Sequence, residues 1–193
     1  MIMDEAVQDV VAALLSPPIP LSAADSPVDR GGVPSEPGLC AWWAPPAAIP
    51  HVSGRAHPSA DLELLYVGIA PSSASSGARL RSRVLSGHLG ENTGASTLRR
   101  SLAALLIESE GYRTRVTSRP VLEPDDERRL SQWMHRRLSL TWAVHPEPWS
   151  VKIEVINLLQ PPLNLAHNSQ HPLYETVSDA RARWRASARP AGS

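Results

Sequence analysis

Arginine is the residue type through which this 193-residue chain is best equipped to do chemistry. Overall, 19 basic residues balance 19 acidic ones, so no global charge advertises a nucleic-acid partner. The distribution is uneven. Between positions 79 and 119 eight arginines face only Glu91, Glu108 and Glu110, a local surplus of five positive charges. A guanidinium donates to two phosphate oxygens at once, so such a stretch is the footprint of a phosphate-bearing ligand, with an ordinary solvated surface as the alternative. Lys152 is the only lysine. Cys40 is the only cysteine, which excludes an intramolecular disulfide framework or a multi-cysteine metal site and fits a reducing compartment. His51 and His57, six apart in a Pro-rich stretch, are expected to be solvent-exposed rather than metal ligands.

The elements that must position these groups are legible from periodicity. Residues 38 to 43 and 64 to 69 read as an antiparallel pair of apolar strands, joined by an excursion too long for a tight hairpin. Leu80, Val84 and His88 sit four apart on one face of a helix whose other faces carry Arg79, Arg81 and Arg83. Ser96 is an N-cap candidate for a helix running to about residue 109 with Leu98, Leu102, Leu105 and Leu106 on its apolar face. A further helix spans 123 to 138, acidic where it starts and basic where it ends, as the helix dipole favours. A third strand (138 to 144), a helix (149 to 159) stopped by Pro161-Pro162, and a basic amphipathic helix through 179 to 188 complete the chain. The fold class is therefore α+β, a small three-stranded and mainly antiparallel sheet flanked by helices. Residues 1 to 35 are expected to be a short helix (4 to 15) plus a Pro/Ser-rich linker, 36 to 188 the folded domain, and 189 to 193 a tail. No apolar run approaches the length of a membrane span, and acidic residues precede the apolar segment at 10 to 15, so a cytoplasmic protein is expected.

Five fragments in order resemble the GIY-YIG nuclease family. They are Gly38-Leu39-Cys40, Tyr66-Val67-Gly68, Arg83 in the following helix, Ser96-Thr97-Leu98-Arg99-Arg100-Ser101-Leu102, and Gln160-Pro161-Pro162-Leu163-Asn164. The resemblance implies a metal-dependent endonuclease that hydrolyses phosphodiester bonds of DNA, using Mg²⁺ or Mn²⁺ held by one glutamate. It makes Tyr66 the residue that orients or deprotonates water, Arg83 the phosphate-binding arginine with Arg81 as fallback, and His88 a group within reach of the water or leaving group. Asn164 becomes a brace for the site. Arg99 and Arg100 join Arg81 and Arg83 as expected DNA contacts, because they share the basic stretch.

Two positions depart from the pattern. Cys40 stands where the first motif has a tyrosine, and cannot supply a phenol. The family's metal-binding glutamate lies about twelve residues before the motif asparagine, and counting back from Asn164 lands on Lys152. A protonated lysine repels a divalent cation instead of ligating it. Glu154 is the remaining candidate ligand, yet two helical positions are about 200° apart, so it should face elsewhere. The sequence thus supports a GIY-YIG-type endonuclease domain, degenerate or inactive in this copy. The alternative is a non-catalytic module that holds DNA or another anion with the same arginine face.

Overall fold

The structure, a computed structural model, describes residues 4–22, 28 and 32–190, and the expectations for the remaining linker and tail positions lie outside the described residues. In chain order the elements are α1 (Glu5–Leu14), β1 (Ile19–Pro20), β2 (Gly38–Ala44), β3 (Glu63–Ala70), a π-helical segment (Ser82–His88), α2 (Thr97–Glu110), β4 (Thr114–Val116), β5 (Pro120–Leu122), α3 (Pro124–Arg137), β6 (Ser139–Val144), α4 (Pro148–Leu159), α5 (Tyr174–Ser187) and β7 (Arg189–Pro190). The main sheet has the order β1-β6-β2-β3 and every pair in it is antiparallel. No helix among the described residues is long and apolar enough to cross a membrane.

The α+β reading holds, with one more strand than expected. The addition is β1, supplied by the stretch read as linker, where Ile19 and Pro20 pair with Leu140 and Ser139. Two residues are too few to show a period-2 pattern, so this strand has no sequence signature. Leu21, Val28 and Val33 from the same stretch are buried, and Leu21 N donates to Leu138 O at 3.0 Å. A second sheet, β5-β4-β7, was also not foreseen, and it uses residues 189 and 190 of the expected tail.

Helices cover both faces of the main sheet. Cys40, Trp42, Tyr66 and Leu140 point into one cluster with Leu98, Leu102, Leu130, Met134 and Trp184, from α2, α3 and α5. Leu39, Ala41, Trp43, Val67 and Ala143 point into the other, with Val7, Val10 and Leu14 of α1 and Val151, Val155 and Leu159 of α4. Burial on both sides explains why β2 is a continuous apolar run rather than an alternating one. Close packing also sets Gly38: a Cβ there would lie 2.2 Å from the Ala143 carbonyl oxygen of the neighbouring strand.

Local chemistry sets the helix limits. Ser96 caps α2 by accepting from Arg99 N at 3.2 Å, and Gly111 ends it in a left-handed conformation, φ 64°. Pro124 opens α3 with Asp125, Asp126 and Glu127 in its first turn, and His135, Arg136 and Arg137 close it. The N-terminal helix is tied to the sheet through Thr141, whose hydroxyl accepts from Trp43 Nε1 (3.0 Å) and donates to Leu14 O (2.7 Å). Leu14 is wholly buried. Leu14→Ala is expected to lower the unfolding free energy by about 2–5 kcal/mol, as for other buried leucines. Denaturant melts that superimpose with wild type would show that α1 is not part of the cooperative unit.

Candidate functional site

In the sheet order β3 is the edge strand, and its outer rim is where the expected residues converge. Asn164 protects that rim. Its Nδ2 donates to Val67 O (2.8 Å) and its Oδ1 accepts from Val67 N (2.9 Å), while Leu163 N donates to Leu65 O at 3.0 Å. The segment after α4 thereby replaces a neighbouring strand with one side-chain amide, satisfying backbone groups that an open edge would leave unpaired.

Against this rim lies a cavity of about 480 Å³ lined by Tyr66, Arg83, Thr97, Lys152, Asn164 and Arg181, among others. Four of these six were singled out from sequence. Arg181, from the basic helix α5, was not, and its repeat with Arg185 at i,i+4 on one helix face was the only available signal. Thr97 is the first residue of α2, so the positive end of that helix dipole opens on the cavity. The Nε atoms of Arg83 and Arg181 are buried without a hydrogen-bond partner. Burial raises the Tyr66 phenol above its ordinary pKa, against the opposing pull of the Arg83 guanidinium. The cavity therefore holds a neutral phenol and three cationic side chains from three separate segments. A larger groove of about 670 Å³, between α2 and α5, gathers none of the expected residues.

Other candidates sit elsewhere. Arg99, expected on the DNA-binding face, is completely buried. Its Nη2 donates to Glu127 Oε2 at 2.8 Å and its Nη1 to Ser131 Oγ at 3.0 Å, so it is a structural ion pair unavailable to an external phosphate. Arg100 remains half-buried, with Nη2 donating to Gly94 O at 3.1 Å. Arg81 is exposed and lies outside the cavity lining, which leaves Arg83 as the arginine of that helix that enters it. Glu154 is exposed and is likewise outside the lining, while Lys152, two positions earlier, is part of it. Glu154 thus does not line this cavity, whereas Lys152 does.

His88 is buried beneath the site rather than lining it. Its Nδ1 is 2.8 Å from Ser96 Oγ, and its ring packs edge-on against Trp42 and Tyr66, with centroids 5.4 and 5.7 Å away. Its Nε2 has no partner. Burial, followed by repulsion from Arg83 and Arg99, lowers its pKa well below 6.5, so the ring is neutral at pH 7. Cys40 is fully buried, and burial pushes its thiol up to about 11, which makes it inert as a nucleophile near neutrality. Cys40 and His88 both crowd the α-carbon of Gly68: a Cβ there would lie 3.0 Å from His88 Nε2 and 3.1 Å from Cys40 Sγ. The glycine of Tyr66-Val67-Gly68 is thus tightly packed, and a side chain there needs His88 and Cys40 to give way by a few tenths of an ångström. His57, expected to be exposed, is also buried, against Trp43 at 4.8 Å with its Nε2 3.1 Å from Ser16 O.

A family model, the GIY-YIG catalytic domain, matches residues 38–183. The chain belongs to the GIY-YIG catalytic domain family. No curated protein and no solved structure matches it. Within this GIY-YIG domain, β2 carries Gly38-Leu39-Cys40 and β3 carries Tyr66-Val67-Gly68, paired so that Cys40 lies opposite Gly68 and Trp42 opposite Tyr66. The match makes the chain a member of a nuclease family, whose divalent cation requires hard anionic oxygen donors. The residues present do not fit one: the cavity lining contains Arg83, Lys152 and Arg181 and no carboxylate.

The geometry makes two expectations measurable. With a depressed pKa, His88 binds a proton in the unfolded chain but not in the folded one, so its contribution to stability is complete above about pH 6.5 and falls as pH drops below that. Melting temperature should fall between about pH 7 and 5, and less steeply in His88→Phe; equal slopes would remove His88 as the cause. Arg99→Met leaves Glu127 buried and unpaired, and should cost about 3–5 kcal/mol in denaturant melts. An unchanged melt would contradict the buried pair's role.

Proposed function

We propose that this GIY-YIG domain binds the phosphodiester backbone of DNA in the β3-edge cavity and does not carry out metal-dependent hydrolysis. The observation that supports this reading is the triplet Arg83, Lys152 and Arg181 around Tyr66, with no carboxylate in the lining. Lys152 stands at the position that the motif count assigns to the metal ligand, and its place in the cavity agrees with that count. An ammonium there supplies positive charge directly, where the family's arrangement uses a carboxylate to recruit it. A phosphate is the anion that two guanidiniums and an ammonium complement.

Cleavage of a phosphodiester needs charge neutralisation together with a positioned, activated water. The first is provided by the three cations. For the second, Tyr66 carries a phenol with a raised pKa, His88 is sequestered behind it, and Cys40 lacks the hydroxyl of the motif tyrosine. No residue lining the cavity is a general base matched to neutral pH.

The test compares binding and nicking in the same preparations. Wild-type protein should bind fluorescent duplex DNA equally well in EDTA and in Mg²⁺ and leave supercoiled plasmid intact. Arg83→Ala should weaken binding and lower the salt slope by about one. Lys152→Glu should reduce binding in EDTA and make it respond to Mg²⁺ or Mn²⁺, because it introduces a hard oxygen donor. Plasmid nicking by wild type that requires Mg²⁺ and vanishes in Glu154→Ala would overturn the non-catalytic reading and restore the endonuclease one.

A further inference from the structure

Beyond the cavity Arg100, Arg119 and Arg185 extend the positive charge, Arg181 being shared with the cavity lining. Arg100 Nη2 and Arg119 Nη1 donate to the same oxygen, Gly94 O, at 3.1 and 2.9 Å, so two guanidiniums are drawn together at one carbonyl. Arg181 and Arg185 lie one turn apart on α5, bordering the buried stripe of Val177, Ala180 and Trp184, with Arg181 half-buried and Arg185 exposed. Among the described residues none of these four arginines makes an ion pair with a carboxylate. The buried acid Glu127 is already used: Oε1 accepts from Thr93 N and Thr93 Oγ1, both at 2.7 Å, and Oε2 accepts from Arg99.

The electrostatics agree with the geometry. Burial lowers the pKa of Arg100, and Arg119 and then Arg185 lower it further. Burial likewise lowers that of Arg181, followed by Arg100 and Arg185. Tyr66 opposes both shifts, which places the arginine line beside the phenol of the cavity. Like charges held together in partly buried positions cost free energy unless an anion joins them. The arrangement is also built rather than incidental, because the loop that presents Gly94 O is pinned by the buried Thr93–Glu127 bonds.

We propose that Arg100, Arg119 and Arg185 form a second phosphate site continuous with the one at Arg83, Lys152 and Arg181, so that the domain grips a single nucleic-acid strand across successive phosphates rather than one isolated phosphate group. This rests on the phosphodiester reading of the cavity. A polyanionic strand neutralises both clusters at once, whereas a mononucleotide leaves the outer arginines repelling one another.

The experiment measures anisotropy of 5′-fluorescein-labelled oligothymidylates of two and twelve nucleotides with the full chain in EDTA, as a function of salt. Wild type should bind the dodecamer at least tenfold more tightly than the dinucleotide. Arg119→Ala with Arg185→Ala should remove most of that advantage, lower the dodecamer's salt slope by roughly 0.7 for each phosphate no longer neutralised, and leave dinucleotide affinity within twofold. Both side chains are exposed, so the fold should tolerate their removal, and an unchanged melting temperature checks it. A double variant with wild-type dodecamer affinity and slope would overturn the second site while leaving the cavity reading intact. Equal wild-type affinity for the two lengths would also overturn it. Dodecamer binding that survives Arg83→Ala with Arg181→Ala unchanged would instead remove the cavity reading, and the continuous path with it.

Discussion

One buried carboxylate holds the functional half of this domain together. Glu127 sits in the first turn of α3 and accepts three hydrogen bonds, two from Thr93 and one from Arg99. Arg99 in turn donates to His88 O, although at 3.4 Å, and to Ser131. These bonds fasten the loop before α2 to α3 and the end of the π-helical segment to α2. The desolvation cost of burying a carboxylate and a guanidinium is large. It is offset by pairing both Glu127 oxygens and both terminal nitrogens of Arg99, Arg99 Nε alone of that pair being left without a partner. What the cluster provides is placement. It presents Gly94 O to Arg100 and Arg119, and it sets the Ser96–His88 contact behind Tyr66.

The same network separates two kinds of arginine that look alike in the chain. Arg99 and Arg100 are adjacent, yet successive helical residues point about 100° apart, so one is directed at Glu127 and the other towards the surface. The inward one is spent on structure. The outward one joins Arg119, Arg181 and Arg185 without an acidic partner. A basic stretch in a sequence is thus a sum over two populations, and only the tertiary environment divides it.

The edge strand is held by contacts that do not involve the charged residues of the cavity. Asn164 satisfies the β3 rim through two bonds with Val67, Gly38 is required by its close approach to the neighbouring strand, and Gly68 is tightly packed against His88 and Cys40. None of these depends on the identity of residue 152 or on a hydroxyl at residue 40. Lys152 lines the cavity from α4 without being buried in the core, so the fold does not depend on its charge.

From sequence alone the main strands, the five long helices, the Ser96 cap and the exposure of Glu154 were accessible, because each follows from periodicity or capping chemistry within a few residues. The family resemblance came from motifs of the same local kind, and Arg83, Tyr66, Lys152 and Asn164 from those motifs line one cavity. Burial of Arg99, the place of His88 behind Tyr66, the entry of Arg181 into the cavity and the strand at Ile19–Pro20 were not accessible. Each depends on a partner far along the chain: Glu127 for Arg99, Tyr66 for His88, the β3 rim for Arg181, and β6 for the short strand. Local spacing states which way a side chain points from its own helix or strand. Whether that direction leads to solvent, a carboxylate or another arginine is decided by what folds against it.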